Sequence, residues 1–478
     1  MAQEKQPNIL TIVTDQQRRD LMGCYGCRDV ETPAADRLAA GGVTFDNAFT
    51  PIPICAPARA SMLTGLRPVH HGITRNPESG DRAGRDFLDE PVVYHQLLNA
   101  EGYLCYHVGK WHVGSDLAPV DCGADGVNYP GYGYPARHPH YVQYLAERGL
   151  PAFAIEDALH GKYPDGERGV VLRGRQAAPV EASIPYYLAE QAISDIREAV
   201  VERQPFHLRL DFWGPHVPYL IPEPYWSMYD GVSVPEWPNF RETFESKPRV
   251  QRDYLDYWGI QDLTWAEWEL LVRGCYGYTT LIDDQVGRVL DELDDLDVAG
   301  NTAVFYTADH GGMVGAHRLA DKGPFLYDEI LRVPMIAKVP GVTTPGARSQ
   351  AWVYNYDLMP TMLELADADV PEGLDAASLL PAIRDEALRE EFALVEFHGH
   401  QLPYTQRCLR TPTHKYVFNG PDVDELYDLD ADPHEMINLV DDGAHRDTLG
   451  DLRQWMFDLL RKTDDPIVRY FEDTRLRW

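Results

Sequence analysis

Asn8-Ile-Leu-Thr-Ile-Val-Thr14 runs directly into Asp15-Gln16, and this junction decides the fold. A short apolar run rich in β-branched residues reads as a strand buried on both faces, the pattern of a parallel sheet. A carboxylate and an amide at its end then sit where open parallel sheets place their ligands. Farther along the chain, Tyr103 to Val108, Phe206 to Phe212, Ala303 to Thr307 and Val333 to Lys338 read as additional strands. Between them lie helical patterns: Thr32-Pro33 to Gly41-Gly42, Arg59 to Leu66, Val92 to Glu101, Ser183 to Glu202, Thr264 to Asp294, and Tyr354 to Ala366 with Pro360 near its first turn. Residues 115–180 and 214–262 show no clear period, and insertions of that length commonly carry function.

Alternating strands and helices predict an α/β fold, a large mostly parallel sheet sandwiched by helices, over residues 1–385. Beyond it, Glu391 to Phe397, Cys408 to Thr411, Lys415 to Phe418 and Glu425 to Asp428 are short strand-like pieces, and Asp447 to Leu460 is a closing helix. Residues 386–478 therefore read as a small C-terminal α+β domain with short antiparallel strands.

The chain has 478 residues, 44% of them hydrophobic, enough for a large core, and a formal charge of −32. That charge repels nucleic acid and anionic membrane surfaces, so neither is an expected partner. No apolar run reaches the roughly 20 residues a bilayer requires, and the polar start Met1 to Pro7 does not read as a signal peptide. The expected compartment is cytoplasmic. Seven scattered cysteines do not form a disulfide framework, and the single Cys24/Cys27 pair reads as a turn rather than a zinc site. Only eight of the 43 basic residues are lysines, which makes any lysine inside a motif informative.

The residues just past each strand carry the chemistry. The first strand delivers Asp15 and Gln16, the second Gly109-Lys110-Trp111-His112, the third Trp213-Gly214-Pro215-His216 and the fourth Asp309-His310. A lone strand-end Asp usually caps a turn; four strands converging on one edge make a constellation. Asp15, Gln16, Asp309 and His310 form a mainly hard donor set with one imidazole, suited to Ca²⁺, Mg²⁺ or Mn²⁺. Cys55 precedes a helix expected to begin near Pro57, where free N–H groups stabilise an anion and depress a thiol pKa. Arg59, one turn on, reaches back to the same anion.

Cys55-x-Pro57-x-Arg59 followed by Ala-Ser-Met-Leu-Thr-Gly65 resembles the signature of the type I sulfatases of the alkaline phosphatase superfamily. Gly109-Lys110-Trp111-His112-Val-Gly114, Gly214-Pro215-His216, Thr307-Ala-Asp309-His310-Gly311, Lys322-Gly-Pro and the tail run Glu425 to Glu435 continue the resemblance in family order. The resemblance implies an alkaline phosphatase-like fold. It also implies that Cys55 is converted by a formylglycine-generating or other maturation enzyme to formylglycine, whose hydrate attacks sulfur and then expels sulfate. By the same resemblance one divalent metal is held by Asp15, Gln16, residue 55, Asp309 and His310. Arg59 holds the formylglycine. His112 supports its second hydroxyl, Lys110 and Lys322 bind sulfate oxygens, and His216 contacts the ester and protonates the leaving oxygen. The expected substrate is a small anionic sulfate ester, such as a sulfated saccharide or an aryl sulfate.

Many family members carry consecutive aspartates where this chain has Asp15-Gln16, and Asn where it has His310. The pairing here looks more like the phosphonate monoester hydrolase and choline sulfatase branch, which keeps phosphonate monoesters and phosphodiesters open as alternative substrates. A silent anion-binding protein is the third reading; the complete set of charged residues argues against it. His317, His398 and His400 are candidates to line the pocket, as are His138, His140 and Tyr141 in the irregular insertion, while His70-His71 reads as capping or packing. The tail Tyr470 to Trp478 either docks on a partner subunit, leaving a homo-oligomer open, or packs on its own domain. The lysines in two motifs predict a locally positive pocket within a negative surface.

Overall fold

The protein is described here from a computed structural model covering residues 6–79, 87–88, 92–129, 132–133, 135–385 and 391–473. Its strands are β1 (Asn8–Thr14), β2 (Val43–Phe49), β3 (Leu104–Lys110), β4 (Asn128–Tyr129), β5 (Ile155–Lys162), β6 (Arg168–Gln176), β7 (Phe206–Asp211), β8 (Tyr219–Ile221), β9 (Thr302–Ala308), β10 (Met335–Lys338), β11 (Ala347–Tyr354), β12 (Ala393–Phe397), β13 (Gln406–Arg410), β14 (His414–Phe418) and β15 (Glu425–Asp428). The helices are α1 (Pro33–Gly41), α2 (Cys55–Thr64), α3 (Pro68–His71), α4 (Tyr94–Ala100), α5 (Pro139–Glu147), α6 (Ile184–Glu202), α7 (Arg249–Trp258), α8 (Trp265–Asp295), α9 (Asp328–Leu331), α10 (Leu358–Leu365), α11 (Leu380–Ile383), α12 (Arg446–Lys462) and α13 (Val468–Asp473).

The central sheet has the order β11-β2-β10-β9-β1-β7-β3-β4. Its middle, β9-β1-β7-β3, is parallel throughout, with Ile12 of β1 opposite Leu210 of β7 and Tyr306 of β9. These are the strands read from apolar runs, and every residue of β1, β7 and β9 is buried. Because all four point the same way, their carboxyl ends form one edge. Two apolar layers cover the sheet. One contains α1, α6 and α8, and the other α2, α4 and α10.

Local chemistry sets the helix ends. Ser183 accepts the Tyr186 N–H and Pro185 occupies the first turn of α6, whose Ile184, Leu188, Ala192, Ile196 and Ala199 repeat at helical spacing on the buried face. Thr264 and Glu267 form a capping box at the start of α8. Asp283, in the middle of α8, accepts the N–H groups of Ala34 and Ala35 at 2.7 and 2.9 Å and so caps α1 from outside.

The C-terminal sheet β12-β13-β14-β15 is antiparallel. Its side chains alternate between two layers, as a period of two requires. Val395, Phe397, Cys408, Val417 and Tyr427 join the main core, while Leu394, Leu409, Tyr416 and Leu426 pack on Leu449, Leu452, Met456 and Leu460 of α12.

The structure differs from expectation at several places. β2 and β11 are strands that the sequence pattern does not predict. β10, expected over Val333 to Lys338 and observed over Met335–Lys338, runs antiparallel to both β2 and β9. The span 115–180 is not irregular; it contains α5 and the β5–β6 hairpin, which β8 extends to a three-stranded sheet. The span 214–262 contains β8 and α7. The helix expected to begin near Pro57, with Cys55 just before it, begins at Cys55 itself. The 385/386 boundary and the end of the tail fall against residues 386–390 and 474–478, which lie outside the described residues. Among the described residues no helix is long and apolar enough to cross a membrane.

Candidate active site

The parallel edge gathers the chemistry. Asp15 and Gln16 leave β1, Lys110 ends β3 with His112 just beyond, and Asp309 and His310 leave β9. Asp15 N–H donates to Gly214 O at 2.9 Å and Asp309 N–H to Thr14 O at 3.1 Å, so neighbouring strand ends are tied together by the backbone. Gly109 has φ +104°, and a Cβ there would stand 2.0 Å from Asp211 O; only glycine lets β3 turn Lys110 inward this close to β7. Gln16 (φ 62°) and His112 (φ 57°) adopt the left-handed backbone, a conformation that costs energy and clusters at functional sites.

Cys55 is the first residue of α2 and is buried. Its Sγ lies 3.1 Å from His310 Nε2 and 3.7 Å from Asp15 Oδ1. Burial pushes the thiol up, but the charges of Lys110, Lys322 and His310 and a hydrogen bond from His112 outweigh it and hold the pKa well below the ordinary range. His310 moves the other way. Burial lowers it, but Asp309 and Cys55 raise it to about 9. His310 Nδ1 donates to Gly311 O at 2.7 Å, which leaves Nε2 facing the cluster.

One turn along α2, Arg59 is fully buried. Its Nε donates to Asp309 Oδ2 at 2.9 Å, and its Nη1 to Lys110 O at 2.9 Å and Asp211 Oδ2 at 2.6 Å. Arg209 Nε donates to Asp211 Oδ1 at 2.9 Å. Asp309 Oδ1 accepts the N–H of Gln16 at 3.2 Å and of His310 at 2.9 Å. Asp309 is thereby fixed from three sides.

On the open side, Lys110 Nζ donates to Asp15 Oδ2 at 2.5 Å and sits 4.8 Å from the centre of the Tyr132 ring. His112 Nε2 lies 3.1 Å from both oxygens of Glu78, and its ring meets Tyr132 edge-on. Lys322 Nζ contacts His216 Nε2 and stands 3.2 Å from Asp321 Oδ1. Burial opposes the charge on Lys322, yet Asp321, Cys55 and Asp15 raise its pKa well above the usual value.

Asp15, Cys55, Asp309 and His310 bring their ligand atoms within 4.8 Å of one another, all buried. Gln16 Oε1 and Nε2 are buried beside them with no partner among the described residues. An orphaned amide next to two carboxylates and an imidazole is a donor set that fits a divalent cation. Lys110 is matched by Asp15, Lys322 by Asp321, and Arg59 and Arg209 by Asp211 and Asp309. Each of these lysines and arginines is matched by a carboxylate, so the pocket is less positive than the lysine positions alone imply.

All ten expected site residues thus meet, and four others join them that no motif pointed to: Glu78, Tyr132, Asp211 and Asp321. Asp321 and Asp211 sit beside expected residues. Glu78 and Tyr132 lie in stretches with no periodic signal. His317 does not line the site; its Nδ1 lies 2.8 Å from Glu242, which also takes Lys247 Nζ at 2.6 Å, and its ring stacks on Tyr327. Tyr141 packs against Tyr144 and Tyr187, and His138 and His140 sit at the start of α5. His71 pairs with Ser61, and His70 clasps Asp375 and Thr463 O. His398 is bound to Glu396. Cys24 and Cys27 lie in the turn after β1 as free cysteines.

The profile of the family described as Sulfatase matches residues 7–368. The chain belongs to the sulfatase family. A second profile, N-sulphoglucosamine sulphohydrolase, C-terminal, matches residues 315–462 of this sulfatase. The sulfatase is 29% identical to the uncharacterized sulfatase YidJ of Escherichia coli, over 99% of this chain and 92% of the relative. It is 25% identical to an N-acetylglucosamine-6-O-sulfatase of Bacteroides thetaiotaomicron, over 97% and 88% of the two chains. Among solved structures, the phosphonate monoester hydrolase of Agrobacterium radiobacter superposes with TM-score 0.80 at 23% identity, covering 96% of each chain. BT4656, solved with its substrate D-glucosamine-2-N,6-O-disulfate, superposes with TM-score 0.74 at 21% identity, covering 97% of this chain and 99% of that one. The fold and the enzyme class are therefore those of a sulfuric ester hydrolase of the alkaline phosphatase superfamily.

Proposed function

We propose that this sulfatase hydrolyses sulfate monoesters of sugars or small organic alcohols, with residue 55 in its formylglycine form as nucleophile. The observation that carries the reading is the placement of Cys55. It stands at the first position of α2, buried, within reach of His310 and Asp15 and under the charges of Lys110 and Lys322. Asp15, Gln16, residue 55, Asp309 and His310 are the groups that would hold a divalent ion, with the imidazole favouring Mn²⁺ over Ca²⁺. When bound, that ion supplies Lewis acidity toward the sulfate group.

The chain's own residues do the rest. Arg59 Nη2 is buried without a partner among the described residues and remains for the side chain at position 55. Lys110 and Lys322 stabilise charge on the sulfate oxygens as it develops. A hydroxyl oxygen of the hydrated residue 55 attacks sulfur, and the sulfur–oxygen bond to the alcohol breaks. Lys322 against His216 Nε2 gives the proton a route to the departing oxygen. His112, braced by Glu78, takes the proton of the second hydroxyl. The carbon–oxygen bond to sulfate then breaks, the aldehyde is regenerated, sulfate leaves and water rehydrates the side chain.

Gln16 and His310 keep phosphonate monoesters as the second reading. Parallel assays with 4-nitrophenyl sulfate and an aryl phosphonate monoester separate the two. A higher kcat/KM for the sulfate is expected, and a higher one for the phosphonate reverses the ranking. Cys55→Ala abolishes both activities; retained turnover refutes the site.

A further inference from the structure

The loop between β12 and β13 brings the C-terminal sheet to the active site. Arg75, which follows α3, donates from Nε to His398 O at 2.6 Å, and His398 Nε2 is spent on Glu396 Oε2 at 2.9 Å. Gly399 turns the chain with φ +104°, and Leu402 N–H closes back on His400 O at 2.6 Å. Gln401 Oε1 lies 2.7 Å from the Tyr254 hydroxyl, which stands 2.6 Å from the carbonyl of Lys322. The loop tip is therefore tied on one side to the segment after α3 and on the other to the backbone of a sulfate-binding lysine. His400 lies between the two ties.

His398 and His400 differ in one respect that matters. His398 is partnered, whereas His400 Nε2 is buried with no hydrogen-bond partner among the described residues. Burial, reinforced by Lys322, holds the His400 imidazole neutral, with its pKa pushed down to about 3; Asp321, Cys55 and His216 are the other groups whose charges reach it. A buried nitrogen left unpaired costs free energy unless a ligand completes it. A second sulfate is a poor match, since the ring carries no charge and Lys322 opposes its protonation. A hydroxyl group, which both donates and accepts, is a good one.

Building on the sulfatase reading above, we propose that His400 is a specificity residue of this enzyme. Its Nε2 hydrogen-bonds a hydroxyl on the alcohol half of the ester and so selects a polyhydroxylated, saccharide-type ester over a flat aryl ester. Lys110, Lys322 and His216 take the sulfate end and the bridging oxygen, and His400 reads what is attached to them.

The test compares kcat/KM on hexose 6-O-sulfates with kcat/KM on 4-nitrophenyl sulfate for the wild type, His400→Ala and His400→Gln. One lost hydrogen bond of this kind is worth about tenfold. The sugar-to-aryl ratio is expected to fall about tenfold in His400→Ala and to recover in His400→Gln, whose amide nitrogen can take the place of Nε2. A ratio unchanged in His400→Ala, or a wild type that turns over the aryl sulfate and none of the hexose sulfates, overturns the assignment and leaves the sulfatase reading standing. A wild type idle on both esters overturns that reading, and the assignment with it.

Discussion

Asp211 neither touches the nucleophile nor belongs to the metal cluster, yet Asp211→Asn is expected to slow the chemistry. The carboxylate is fully buried between Arg59 Nη1 at 2.6 Å and Arg209 Nε at 2.9 Å. The substitution keeps the shape and removes one negative charge, so Arg209 loses its carboxylate partner while Arg59 keeps Asp309. Removing one partner of a buried pair costs about 3–5 kcal/mol. At roughly 2 cal/mol/K per residue, a chain of 478 residues loses about 4 °C in Tm for ~4 kcal/mol. The kinetic effect stems from Arg59 Nε, which fixes Asp309 Oδ2. A guanidinium drawn toward its remaining partner shifts that carboxylate, and a displacement of about 1 Å at a reacting group costs on the order of 10²-fold. The assay is kcat and KM on 4-nitrophenyl sulfate, with Tm by calorimetry. A kcat about 10²-fold lower at near-constant KM is expected, because the displaced groups sit under the nucleophile and not under the alcohol. Arg209→Met is the control; it breaks the same pair farther from the nucleophile and is expected to cost Tm more than kcat. A kcat for Asp211→Asn within twofold of wild type refutes the reasoning, as does equal kinetic loss in the two variants.

Glu78→Gln leaves His112 without its carboxylate partner; kcat on 4-nitrophenyl sulfate is expected to fall about tenfold at near-constant KM, and an unchanged kcat contradicts the bracing. Dialysis against a chelator is expected to abolish turnover, with Mn²⁺ or Ca²⁺ restoring it; full activity in the chelated protein contradicts the donor set. Glu242 is buried; burial raises its pKa, but His317 and Lys247 outweigh this and lower it to about 2. A depressed carboxylate contributes stability that is complete above its unfolded value near 4.5 and is lost as pH falls through about 2. On the order of 3 kcal/mol should disappear across that window. Denaturant titrations from pH 5 to 2 measure it, and Glu242→Gln should flatten the slope; an equal slope in the variant contradicts the assignment.

Legibility in the sequence depended on burial. β1, β7 and β9 are buried along their whole length, so their apolar runs stand out, and β1 and β9 lead directly into Asp15 and Asp309. β2 escapes because Asp46 and Asn47 interrupt it. β11 is an edge strand whose first half, Ala347-Arg-Ser-Gln, is only partly buried. The reversal of β10 has no local signature, since direction depends on how the chain returns. The β5–β6 hairpin carries Glu156, Asp157 and Arg168 on exposed positions, which erases the alternation. Motif residues such as Cys55, Lys110 and His310 are legible through their order along the chain. Asp211 and Glu78 are not, because they act through Arg59 and His112, and spacing carries no trace of such second-hand contacts. The charge balance is hidden for the same reason: lysines can be counted from a sequence, but their carboxylate partners cannot.

Residue 55 is held to perform the chemistry as formylglycine, and everything else in the mechanism depends on it. The decisive measurement is the mass of the peptide spanning residue 55, taken from protein produced with its maturation enzyme and scored for turnover in the same preparation. An aldehyde at position 55, trapped by a hydrazide probe in a fraction that tracks specific activity, is the expected result. An unmodified Cys55 thiol in fully active enzyme would contradict it.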